Sequence, residues 1–541
     1  MDRLYKYIRD YRILYMGICI LFVVCAAFYH YGLLSIFPQN AEDIMSITSM
    51  YSHLKLGIGY QPVEYLYSLC AYLSTIFGGG VTYTSVRLLF ALLYAVLMCC
   101  TLYLCLQQKG KSAILFLPLI AWLAVLLCPA SYEPELFWDS GGRDLIYLWP
   151  FMYHYSSRIL MLLCLVAVDK CANARKNKKL LLCITAVVII YSVSHTDLIF
   201  LLTFVGPACI VLLLHSLYNK SMRKWMIGAV LAFMAVMLIS KMIPGENMIR
   251  NYLWGSERAH VYGAIYGGTN WTSIDILGEH LLNYVELIFT MFNIQLASSP
   301  VISLYTVLSV LKLLVVCAGY VMIIHIIKSS IWRDGRHYDC VDEILAWAYL
   351  MLSLIFIFTD YGSSPFMRYF PSLTTIMTIL LCRNLEYFPE IVKLSVIKEI
   401  NHKKVLLGVC TLCICLCSAG KVWTYAAPDV YSGDMKAIAE YIQWSDYGYA
   451  IATSWVAPRV SAMGDGSLLV YTDMNKIKST YGEDAKCTYI ITRNFNNPAA
   501  REGFTVYRDC TSWEQICEYY SEPSDIICYD QLAVIVFEDG I

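Results

Sequence analysis

A chain of 541 residues in which 58% are hydrophobic and only 15% charged lies far from the soluble average of about a quarter charged. Its formal net charge of −1 offers no basic excess for a nucleic-acid partner, and its apolar content excludes an ordinary soluble enzyme. The composition is that of a polytopic membrane protein, long enough for a large helical bundle plus one further domain.

A spanning helix needs about 20 mostly apolar residues. In chain order the sequence offers eleven such runs, at 13–33, 83–106, 114–128, 149–168, 180–194, 197–217, 225–243, 301–327, 342–359, 371–383 and 405–424. The first is too long for a removable signal peptide and lacks a small-residue cleavage site, so it reads as a retained anchor. Basic residues in short loops set the orientation. With the N-terminus in the cytoplasm, the inner segments hold 22 Lys and Arg, from Arg3 through Arg383 to Lys404. The outer loops hold 5, namely Lys55, Arg143, Arg250, Arg258 and Arg368. A missed span would invert every later loop and break this bias. The expected outer loops are 34–82, 129–148, 244–300 and 360–370, and residues 1–424 form the membrane domain.

Composition changes near residue 425. From there apolar runs shorten to strand length in GYAIATSW, SLLVYTD, CTYIITRNF and QLAVIVFE, and alternate with helix-like DMKAIAEYIQW and TSWEQICEYY. Residues 425–541 therefore read as a small α/β domain outside the cytoplasm. It carries Cys487, Cys510, Cys517 and Cys528, and on an oxidising side both thiols and disulfides are open to them. Most of the 22 cysteines lie in apolar runs such as LLGVCTLCICLCSAG, where cysteine acts as a small hydrophobe. The chain has no internal repeat and no GxxxxGK, HExxH or GxSxG motif. The sequon Asn270-Trp271-Thr272 is an acceptor only in a cell that glycosylates such sites.

Chemistry concentrates just outside the first span. Pro38 ends that helix, and Glu42 and Asp43 follow in the segment 35–68. Adjacent carboxylates beside a bilayer suit a general base acting on a lipid-borne substrate. With Asn40 they also suit a helix cap and acidic first turn, and the two roles are compatible. The second outer loop holds Glu133, Glu135, Asp139, Arg143 and Asp144, with Arg158 in the next span. Gly141-Gly142 would let backbone N–H groups approach an anion, whereas Arg143 paired with Asp139 or Asp144 would be structural. Arg368, in TDYGSSPFMRYFP, is set either to grip a phosphate with its fork or to snorkel at a helix end. The aromatics of the long loop 244–300, near Arg258 and His260, suit sugar stacking or an interfacial belt.

Three features together resemble the GT-C superfamily of polyprenyl-phosphate-sugar-dependent glycosyltransferases. They are AEDIMSITSMYSHLKLGIGYQPVEYLYSLCAYLSTIFGG after the first span, SVRLLFALLYA opening the second, and RYFP ahead of a late span with an external α/β tail. The resemblance implies a mainly α fold, a bundle of about eleven spans with a small extracytoplasmic α/β domain, in the plasma membrane. It assigns the acceptor-activating base to Asp43, with Glu42 beside it, and the donor phosphate to Arg143, Arg158 and Arg368. His53, Tyr60, Glu64, Asp139, Asp144, Arg258 and His260 are the residues expected around the substrates. The implied partners are a polyprenyl-phosphate-linked sugar, an extracytoplasmic acceptor glycan, lipid or protein, and the bilayer. No DxD stands in the chain, which leaves a divalent cation such as Mg or Mn without an evident ligand set. A lipid-linked-sugar transporter or flippase and a polysaccharide polymerase are the competing classes. The first would show repeats and broken helices, the second two arginine-rich outer loops.

Overall fold

The computed structural model describes residues 83–106, 155–173, 198–218, 271–292, 304–332, 338–363, 370, 372–384, 432–445, 449–453, 456–463, 470–471, 474–500, 506–520 and 522–541, with scattered positions at 20–24, 220–234 and 294. Most of the structure is helical. The chain divides into two compact units, the first including Ala95–Pro150 and His154–Lys421, the second including Val422–Ile541.

In the first unit the elements run α1 (Tyr83–Leu106), α2 (Tyr155–Asn173), α3 (Leu198–Phe200), α4 (Gly206–Tyr218), α5 (Leu277–Met291), α6 (Leu304–Trp332), α7 (Cys340–Phe358) and α8 (Ser372–Asn384), α1 contributing from Ala95 on. Expected spans at 83–106, 149–168, 197–217, 301–327, 342–359 and 371–383 each overlap helical structure, with ends displaced by up to six residues. Those at 13–33, 114–128, 180–194, 225–243 and 405–424 lie wholly or mostly outside the described residues. Three stretches are long and apolar enough to cross a membrane, Leu201–Tyr218, Lys312–Trp332 and Cys340–Phe358. At 1.5 Å per residue the 19 residues of α7 rise about 28 Å, close to the hydrocarbon thickness.

Helix α7 is the hub, packed against α2, α4, α5, α6 and α8. Its first turn carries Asp342 and Glu343, charges that favour a helix N-terminus. Between α3 and α4 the turn widens to a π-helix over Leu201–Val205, closed by Gly206 N–H on the Leu201 carbonyl. Pro207 supplies the reason, because it has no N–H to donate and its ring crowds the preceding turn. At Gly206 the missing side chain admits Met351 of α7, whose methyl would lie 2.9 Å from a Cβ there. The 13 residues of α8 are buried without exception. It is the one expected span that protein surrounds completely among the described helices.

In the second unit, from Ser432 onward, the elements are α9 (Ser432–Trp444), β1 (Tyr449–Ile451), α10 (Ala457–Met463), β2 (Val470–Tyr471), α11 (Met474–Tyr481), β3 (Cys487–Arg493), α12 (Trp513–Tyr519), β4 (Asp525–Cys528) and β5 (Leu532–Val536). The sheet order is β2-β1-β3-β5-β4, parallel between β1 and both β2 and β3, antiparallel where β5 meets β3 and β4. Period-two alternation divides the core. Tyr489, Ile491, Leu532, Val534 and Val536 pack with α9 and α10, while Ile490, Ile535 and Phe537 pack with Ile477 of α11 and Ile516 of α12. The sheet is thus sandwiched between helices. Asp434 ties the first turn of α9 to β5, its Oδ2 accepting the N–H groups of Gln531 (2.5 Å) and Leu532 (3.0 Å). Strands β2 and β4 are the edges, and in β4 the adjacent Ile526 and Ile527 make too short a run for its period to be read.

Cys487, Cys510, Cys517 and Cys528 are thiols. Burial pushes Cys487 up to about 12, so it stays protonated at neutral pH. Its Sγ faces the carbonyls of Tyr449 and Tyr489, each at 3.2 Å, rather than another sulfur.

Candidate functional site

Of the residues expected to carry chemistry, Arg158 is described, buried in the first turn of α2 at 4% exposure. Asp43, Glu42, His53, Tyr60, Glu64, Asp139, Arg143, Asp144, Arg258, His260 and Arg368 lie outside the described residues. The described part of the first unit holds four buried polar assemblies, and each reveals what its groups can still do.

The largest surrounds Arg383 in the last turn of α8. Its Nε donates to Asp342 Oδ1 (2.7 Å), Nη1 to Asp169 Oδ1 (3.2 Å) and the Leu104 carbonyl (3.0 Å), and Nη2 to Asp339 Oδ2 (3.4 Å). The side chains of Arg383, Asp169 and Asp342 are all but inaccessible, at 2%, 4% and 2% exposure. Four of the guanidinium's five N–H groups are thus engaged by the protein, leaving no fork for a phosphate. The assembly joins the ends of α1, α2, α7 and α8. Sequence reading counts Arg383 among the cytoplasmic loop cations, and the structure corrects this to a buried, ion-paired residue. Next to it, Glu343 of α7, with its side chain 2% exposed, meets His215 Nε2 of α4 at 2.5 Å. Arg223 donates to the free carbonyls of Ser216 and Leu217 at the end of α4.

Hydroxyls join α5, α6 and α7. Ser353 Oγ donates to the Tyr349 carbonyl (2.8 Å), so Tyr284 Oη, 2.6 Å away, donates to Ser353. Tyr320 Oη then donates to Tyr284 (3.1 Å), and Tyr349 Oη to Tyr320 (3.0 Å). Every proton in the chain has an acceptor, which makes it a fastening rather than an acid or base.

At the C-terminal end of α7 the unsatisfied helix carbonyls find partners from 271–283. The Thr272 N–H donates to the Phe358 carbonyl (2.9 Å), and His280 Nδ1, which must carry its proton to do so, donates to the Ile357 carbonyl (3.0 Å). Asn283 Nδ2 donates to the Gly362 carbonyl (2.8 Å). Gly362 leaves the space that the His280 ring fills, and an added methyl would overlap that ring and the Phe356 carbonyl. Gly362→Ala is therefore expected to destabilise the solubilised protein by about 1–3 kcal/mol. Gly278→Ala, where a methyl meets nothing, serves as the control in the same thermal-unfolding measurement.

These assemblies are built on groups that sequence reading passed over. Asp169, Asp342 and Glu343, all buried, stand in or beside apolar runs. Ionisable residues in such runs were the available signal.

No family model and no curated protein matches the chain. The functional reading therefore rests on residue chemistry and on the geometry above. Among the described residues no group of His, Cys, Asp and Glu could hold a metal ion, and the outer-loop acids expected at the site lie outside them.

Proposed function

We propose that the chain is an integral-membrane glycosyltransferase that moves a sugar from a polyprenyl-phosphate donor to an extracytoplasmic acceptor. The observation that carries the proposal is the Glu42-Asp43 pair, directly after the first apolar run and on the side opposite the basic loops. On that side no nucleotide sugar is at hand, so an activated sugar must arrive on a lipid carrier.

Contacts in the first unit support this geography. Arg383 gathers the ends of α1, α2 and α8 and the start of α7, all of which the charge bias assigns to the cytoplasm. His215 and Glu343 add the end of α4, of the same assignment, to the start of α7. At the other end of α7, Thr272, His280 and Phe370 meet it, and all three belong to or adjoin the expected outer loops.

In the proposed reaction Asp43 takes the proton of an acceptor hydroxyl as its oxygen forms a bond to the anomeric carbon. The bond from that carbon to the polyprenyl phosphate breaks, and Arg143, Arg158 and Arg368 hold the departing phosphate. Inversion at carbon is expected, because no second carboxylate is evident as a nucleophile. The π-turn before Pro207 is the one observation favouring a transporter, which would need a counterpart in the other half of the chain.

The test is transfer of radiolabelled sugar by the purified protein in liposomes, from a panel of polyprenyl-phosphate sugars to a membrane-glycan extract. Labelled product from a lipid donor, and none from nucleotide sugars, is the expected result. Label that crosses the bilayer without changing its carrier, or no product from any donor, would overturn the reading.

A further inference from the structure

Helix α5, which the sequence assigns to an outer loop, runs down the side of α7. His280 meets the Ile357 carbonyl at the end of α7, and Tyr284, four residues on, meets Ser353, four residues back. The two helices are therefore antiparallel and in step. At 1.5 Å per residue Glu286 lies about 9 Å below His280, measured from the end of α7 toward its middle. Helix α6 begins sixteen residues before Tyr320, the partner of Tyr284, so its start lies back toward the end of α7 from which α5 descended. Helix α5 thus enters the depth of a membrane-long helix without crossing it.

Its surface divides into three. His280, Tyr284 and Leu287 are buried against the bundle. Turning about 100° one way from Tyr284 gives Val285, with Leu281 and Leu282 nearby, exposed at 50%, 47% and 72%. Turning the other way gives Asn283, then Glu279 and Glu286, both exposed. In an antiparallel pair, one step forward from the contact line turns both helices to the same side. The step from Ser353 and Ile357 on α7 gives Leu354 and Phe358, exposed at 42% and 41%. The apolar flank of α5 and the apolar stripe of α7 are one continuous surface. A carboxylate at the depth of Glu286 requires water or a polar partner on the other flank.

We propose that α5 is a re-entrant helix at a seam, its Leu281–Val285 flank against the acyl chains of the bilayer and its Glu279–Glu286 flank against water. The occupant of the apolar flank is bilayer lipid, because that flank continues the exposed surface of a helix long and apolar enough to cross the membrane. The inference does not use the transferase reading, so a failed transfer assay leaves it standing. It is tested by placing the photoreactive residue p-benzoylphenylalanine at Val285, at Leu281 and at Glu286 in turn, in the full-length chain, and irradiating native membranes. Phospholipid adducts by intact-protein mass spectrometry are expected at Val285 and Leu281, with none at Glu286. All three side chains are exposed and tolerate a larger group, and recovery of a monodisperse solubilised protein checks that each variant folds. Folded protein without lipid adducts at both Val285 and Leu281, or with equal adducts at Glu286, would overturn the seam.

Discussion

Arg383→Met is expected to cost the first unit about 3–5 kcal/mol, because it leaves Asp169 and Asp342 buried without their cation. The measurement is the fraction of solubilised protein that remains monodisperse after a heating series. Arg383→Lys should fall between wild type and methionine, since an ammonium keeps the charge but cannot bond in one plane to three carboxylates and a carbonyl. Adding Asp169→Asn and Asp342→Asn to Arg383→Met removes the stranded charges and should recover much of the loss. If the single methionine variant is as stable as wild type, the cluster does not hold the four helix ends together.

Asp43→Asn is expected to lower sugar transfer on the order of a hundredfold or more, with expression and folding retained. Asparagine is the informative replacement, because it caps a helix about as well as aspartate does while being unable to take a proton. A pure capping role therefore predicts an active variant, and a base predicts an inactive one. Alanine would remove both functions and separate nothing. An inactive Glu42→Gln single variant beside an active Asp43→Asn single variant would move the role to the neighbouring acid.

Long apolar runs were legible in the sequence because lipid and protein interiors select the same side chains. Helix α1 begins and ends where its run does, and α8 lies within one residue of its own at each end. What the runs could not reveal is which faces meet lipid and which meet protein. Helix α8 carries Ser372, Thr374, Thr375 and Thr378, a polarity that single-residue hydropathy averages away. Helix α5 escaped notice as part of the bundle because its apolar stretch is broken by Glu279, Asn283 and Glu286, as an outer-loop helix would be. In the second unit, β3 and β5, buried on both faces, could be read directly as continuous apolar runs, whereas α10, α11 and the edge strand β4 were too short to stand out. The candidate site was legible only as residue types, since the partners that fix a side chain's role come from elsewhere in the chain, as Asp169 and Asp342 do for Arg383.

The enclosure of α8 has a consequence for biogenesis. Thirteen residues rise about 20 Å, too little to bridge the hydrocarbon layer alone, and the segment ends in an arginine and an asparagine. As it leaves the ribosome it offers the insertion machinery neither the length nor the greasiness of an independent stop signal. Its entry into a bilayer is then expected to depend on α7 being there with Asp342 to receive Arg383, so that this part of the bundle would assemble by pairs rather than helix by helix.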